Sequence, residues 1–206
     1  MIFKNLLRIL ESYRLSLVKI IFFELLYLIK GYKGNGFAFS ENNIMADNIP
    51  CPYYFLHKIK KKITDKDFNI FLDMGCGSGR VINFFNKNFT KKNFIGIEYF
   101  EKQFLQCKKN LEKYENIKLF QLDFIKNDFL QYNADCYFFN HPIKDDIIFS
   151  NLIKKILNSV HNKKSILLIF VNCNNSILKS LDNVQLIESY YVNDDKGFSI
   201  YCINNK

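Results

Sequence analysis

Residues 71–80 read FLDMGCGSGR, an apolar run ending in Asp73 followed by three glycines that alternate with small residues. A strand, a glycine turn and a helix in that order form a familiar cradle for nucleotide-like ligands. The dinucleotide fingerprint G-x-G-x-x-G needs a third glycine where its helix packs closely on the strand. Gly75 and Gly77 meet the first two requirements, but position 80 is Arg and the third glycine falls at Gly79. A phosphate loop would need Gly-Lys-Ser/Thr next, and none follows. The remaining pattern is Asp-x-Gly-x-Gly-x-Gly. A carboxylate two residues ahead of the first glycine suits a ligand carrying an ammonium group, held directly or through water.

Outward from this loop the chain alternates short apolar runs with helical stretches. The runs are 69–74, 93–98, 117–122, 135–139 and 165–171, and the helical stretches are 79–86, 101–114, 146–160 and 174–181. Near-continuous apolar strands separated by helices predict a parallel sheet covered on both faces. Two more runs, 184–192 and 198–204, flank the turn NDDKG at 193–197, which has no room for a helix. They predict an antiparallel pair at the sheet edge. The expected fold is therefore α/β: a seven-stranded, mostly parallel sheet with an antiparallel last strand, helices on both faces and an N-terminal helical extension. The expected division is an extension over residues 1–44, not an independent domain, and one domain over 45–206.

The chain has 206 residues with 49% hydrophobic content, which excludes a disordered protein and suffices for one sizeable core. Six cysteines stand singly, with no Cys-x-x-Cys pair. They read as reduced thiols of a cytoplasmic protein, and no metal is expected. The net charge of +9 lies mostly in the N-terminal half, where residues 1–103 hold 16 basic and 9 acidic groups. A solvated basic face is the plain reading, including the run KIKKK at 58–62; an anionic membrane or polyanion is the other. Residues 15–30, LSLVKIIFFELLYLIK, are apolar nearly all round, yet too short and too interrupted by Lys19 and Glu24 to span a bilayer. No small-residue cleavage site follows, so a signal peptide is not expected. The segment reads as a helix packed on the domain. The alternative is peripheral contact of residues 1–30 with the inner membrane face, helped by Lys4, Arg8, Arg14, Lys19, Lys30 and Lys33. Residues 37–50 read as an ordered loop.

Taken together, DMGCGSG at 73–79, GIE at 96–98, LDF at 122–124 and NHP at 140–142 resemble the class I S-adenosylmethionine (SAM)-dependent methyltransferases over roughly residues 45–204. The resemblance implies SAM as cofactor. It places Asp73, Gly75, Cys76, Gly77 and Gly79 around the methionine and ribose parts, with Gly75 and Gly77 allowing a close approach that a Cβ would block. It gives Glu98 the ribose hydroxyls, Tyr99 and Phe124 the adenine ring, and Asp123 the adenine amino group. Asp123 could equally cap the short helix expected after it. Arg80 pairs with a substrate or cofactor carboxylate, or is a surface residue. Pro50-Cys51-Pro52 resembles the Y-x-P-T-P stretch of a bacterial subgroup and of the non-SET histone-lysine methyltransferases, with Cys51 where Thr would stand; a rigid turn before a helix is the plain alternative.

The substrate side is read at 137–143, YFFNHPI. Amino-group methyltransferases carry D/N-P-P-Y/F there. Asn140 and Pro142 match, while His141 replaces the first Pro and Ile143 replaces the aromatic ring that would stack on a flipped base. Asn140 thus borders both cofactor and acceptor. His141 offers a general base for a hydroxyl acceptor, or simply packs beneath the cofactor. His57 and His161 lie outside the matched motifs. The expected activity is O-methyl transfer onto a small-molecule or glycan acceptor. The alternatives are a protein-lysine N-methyltransferase, a nucleic-acid methyltransferase and a SAM-binding subunit or sensor without turnover. Nucleic acid is the less expected partner.

Overall fold

The computed structural model describes residues 17–34, 36–40, 44–159, 163–176, 178, 183–192 and 196–204. Seven strands form one sheet: β1 (Ile70–Met74), β2 (Asn93–Glu98), β3 (Ile117–Gln121), β4 (Cys136–Asn140), β5 (Ser165–Val171), β6 (Val184–Tyr191) and β7 (Gly197–Asn204). Their order is β3-β2-β1-β4-β5-β7-β6. The pairs from β3 to β5 are parallel; β7 runs antiparallel to both β5 and β6. The short return after β6, closed by Val192 N–H donating to Lys196 O at 2.8 Å, dictates that reversal. β7 slots between β5 and β6 instead of lying outside them, and β6 forms the edge, with an irregularity between Leu186 and Glu188. The expected fold class holds.

Alternation along β1 sorts the core into two layers. Phe71 joins Phe94, Phe138 and Leu167 on one face. That face is covered by α1 (Leu17–Ile29), α2 (Tyr53–Ile63), α3 (Arg80–Asn88) and α4 (Glu101–Leu111). Leu72 and Met74 join Ile95, Ile97, Tyr137 and Phe139 on the other face, under α5 (Asp146–Ser159). The abundant phenylalanines concentrate in the first layer, where the Phe71 ring lies 4.9–5.9 Å from those of Phe85, Phe94 and Phe138. Such offset contacts add directional preference to the area buried.

The helix expected over 174–181 and His161 lie largely or wholly outside the described residues, as do Lys4, Arg8 and Arg14. α2, which follows Pro52 directly, converts Pro50-Cys51-Pro52 into an extended entry to a helix; Pro52 has the extended φ of −59° and ψ of 137°. The chain leaves β1 for β2 on one side and returns at β4 on the other. The C-terminal ends of β1 and β4 therefore flank the point where strand order reverses, the usual place for a ligand in such sheets.

Candidate active site

The glycine loop leaves the end of β1 at this switch point. Gly75 N–H and Cys76 N–H both donate to Ile97 O at 2.9 Å, folding the turn against the end of β2. Gly77 has φ +55°, and a Cβ there would collide with the Asn48 amide. Gly79 has φ +89° and precedes α3, where a Cβ would press on Leu111 and Cys107 of α4. The last glycine thus serves helix packing, while Gly75 faces Pro142 and Gly77 faces Asn48.

Two buried carboxylates lie at the loop. Asp73 is 1% exposed and its Oδ2 has no hydrogen-bond partner. Burial, and then the nearby Glu98, pushes its carboxyl well above the usual carboxylate range. Glu98 accepts from Gly77 N–H at 2.7 Å and from Phe100 N–H at 2.9 Å. Burial raises its pKa, opposed by these backbone donors. Glu98 is thus a loop organiser as well as a candidate ribose acceptor, a role that an acid ending an apolar run does not announce.

The strap 44–49 covers this loop. Ala46 N–H donates to Pro142 O, Lys144 N–H to Ile44 O, and Met45 bridges Ile143. Asn48 Nδ2 donates to Gln103 Oε1 at 2.9 Å, and Asn140 Nδ2 to Ile49 O at 2.7 Å. Between strap and loop remains a slot of about 30 Å³, lined by residues that include Gly75, Glu98, Tyr99, Phe124, Asn140 and His141. A second space of about 20 Å³ adjoins it, bordered by Asp73, Gly75, Cys51, Arg80 and Asn140. The orphaned Asp73 oxygen, the glycine turn and Glu98 suit a cofactor with an ammonium and a ribose. The room between them does not, until the strap moves outward.

Three expected residues stand differently. Arg80 is neither exposed nor turned to a ligand carboxylate: it is 4% exposed and its Nη1 donates to both Glu24 oxygens at 2.9 and 3.0 Å. It also donates to Cys51 O, and its guanidinium lies 4.3 Å from the Tyr53 ring. Glu24, which interrupts the apolar N-terminal stretch, is buried for this purpose. Asp123 turns its Oδ1 onto Ile125 N–H at 2.9 Å, capping its own turn, and does not line the slot. Cys76 lends backbone to the loop, while its thiol faces Cys107 Sγ at 3.8 Å.

His141 has φ +46° and its N–H donates to Cys173 Sγ at 3.1 Å. It lines the slot and also a second, open cleft of about 1050 Å³ beyond the ends of β4 and β5. That cleft is bordered by Asp146, Asn172, Asn174, Asn175, Ser199 and Lys196, among others. Desolvation and Lys196 lower the imidazole pKa, opposed by Asp146 and Asp47. The polar stretch Asn172–Ser176 after β5 was not singled out from sequence; its only signal is the abrupt change from SILLIFV to NCNNS. His57 sits elsewhere, bonded to Tyr27 Oη.

A seven-stranded sheet of this order with a glycine turn at its switch point defines a class I methyltransferase fold. Residues 71–161 match the family model described as a methyltransferase domain. Solved structures agree in fold. They include the StiE O-MT, residues 961–1257, at 15% identity over 73% of this chain and 74% of that one, TM-score 0.52. A dimethyladenosine transferase from Plasmodium falciparum is 23% identical over 73% and 61%, TM-score 0.51. A SAM dependent methyltransferase from Aquifex aeolicus is 15% identical over 72% and 89%, TM-score 0.54. No curated protein matches in sequence. The matched residues 71–161 are somewhat under half of the chain; they make it similar to a methyltransferase domain, and SAM is the cofactor that this similarity indicates.

Proposed function

We propose that the protein transfers a methyl group to a hydroxyl of a small, polar, glycan-type acceptor seated in the cleft beyond β4 and β5. The observation that carries this reading is His141, which borders both the cofactor slot and the cleft. SAM supplies an electrophilic methyl on a sulfonium. Asp73 faces its ammonium, Glu98 its ribose, and Tyr99 and Phe124 its adenine. Asn140, with its amide nitrogen committed to Ile49 O, holds the strap against the transfer point. His141 would accept the proton of the acceptor hydroxyl as its oxygen takes the methyl and the methyl–sulfur bond breaks, leaving neutral S-adenosylhomocysteine. The amide- and hydroxyl-rich walls at Asn172, Asn174, Asn175 and Ser199 suit a polyhydroxylated ligand better than an apolar one. The acceptor's alignment with the methyl then supplies most of the rate.

The test is turnover with labelled SAM on a panel of sugars, phenols and amines, with and without His141→Ala. Methylation of a hydroxyl compound, reduced about a hundredfold in the variant, is the expected outcome. Label appearing only in protein lysines, or full activity in the variant, contradicts it.

A further inference from the structure

α1 buries Ile20, Glu24 and Tyr27 on the side facing the domain. Its opposite side carries Val18, Phe22, Leu25 and Ile29, which are 81%, 59%, 46% and 83% exposed. These positions recur at helical spacing and make one continuous apolar stripe about 16 Å long. Single exposed apolar residues are ordinary, but a continuous stripe is a contact surface.

Among the described residues, the charged groups noted beside the stripe are cations. Lys19 and Lys30 are exposed near its two ends. Near the C-terminal end of α1, Lys30, Lys60 and Lys61 all act on His57, and Lys33 and Lys113 act on Lys87. Lys87 in turn reaches Gly31 O at 3.4 Å. The helix's one carboxylate, Glu24, is turned inward onto Arg80, so α1 presents no anion outward. An apolar strip rimmed by cations matches an anionic lipid interface, where ammonium groups meet headgroups and apolar side chains enter the acyl boundary. Its 13 residues extend about 20 Å, short of the ~30 Å hydrocarbon core, so the helix can lie along a bilayer and not cross it.

We propose that α1 docks the protein on an anionic membrane surface through the Val18–Phe22–Leu25–Ile29 stripe. The proposal is independent of the acceptor chemistry. It is tested by floating the full-length chain with phosphatidylcholine vesicles, with and without phosphatidylglycerol. The chain should float only with phosphatidylglycerol present, and less as salt rises. The double variant Phe22→Ser/Ile29→Ser should float about tenfold less at an unchanged melting temperature, since both side chains are exposed. The charge-reversed Lys19→Glu/Lys30→Glu variant checks the same docking without touching the apolar stripe, and it too should fail to float. Absence of the wild-type chain from the vesicle fraction overturns the proposal, as does equal flotation of both variants. So does a concentration-dependent dimer that the serine variant dissolves while vesicles remain unbound, which would make a second copy the occupant.

Discussion

At the residue scale, Asp73 carries the sharpest expectations. A buried carboxyl with an orphaned oxygen favours its neutral form in the folded chain. Its raised pKa means that stability present at low pH is lost as pH rises toward the folded value. Asp73→Asn should therefore stabilise the cofactor-free protein at neutral pH by about 1–3 kcal/mol, seen as a raised melting temperature in calorimetry. The same variant should bind SAM about tenfold to a hundredfold more weakly, having lost a charged partner for the ammonium. His141 makes a second case. Its proton acceptance requires neutral imidazole, so the rate should rise with pH through a value lower than the ordinary histidine pKa and then level off. Lys196 helps hold that value down; Lys196→Ala should shift the acidic limb of the pH–rate profile upward. An unshifted limb would remove His141 as the titrating base. Asp73 was legible as an acid just ahead of the glycine turn, and Glu98 as an acid closing an apolar run. The Glu24–Arg80 pair was not, because its partners are 56 residues apart and only tertiary packing brings them together.

At the element scale, the strap 44–49 decides access. Its hydrogen bonds to the Pro142–Lys144 segment leave a slot of about 30 Å³, so the strap is expected to lift when the cofactor enters. Ala46→Pro removes the N–H that bonds Pro142 O, and should speed SAM association in stopped-flow mixing by severalfold, the loss of one hydrogen bond of about 1 kcal/mol. An unchanged rate would mean that another element limits entry. The sequence reads 37–50 as an ordered loop, of which residues 41–43 lie outside the described residues. Its placement depends on contacts to a segment some hundred residues later, which no local pattern encodes. Strands and helices fared differently: β2 and β5 match the expected bounds because their apolar runs end in polar residues. The insertion of β7 between β5 and β6 is a choice between two edges that periodicity cannot make.

At the scale of the whole molecule, the sheet order places every motif at one rim. The glycine turn, Glu98 and the Asn140–His141 pair come from β1, β2 and β4, adjacent strands whose C-terminal ends converge. The four short motifs of the sequence fall at or just beyond the ends of β1, β2, β3 and β4, strands that run parallel to one another, which is why they come out at the same rim. The open cleft beyond β4 and β5 draws on β6 and β7 as well, and its polar side chains are ordinary surface residues until the strands are paired. The central claim is that this rim binds SAM through Asp73 and Glu98. Isothermal titration of SAM into the wild-type chain, Asp73→Ala and Glu98→Gln tests it most directly. The account predicts one site per wild-type chain and at least tenfold weaker binding in each variant. No heat of binding in the wild type, or equal affinity in all three proteins, would contradict it.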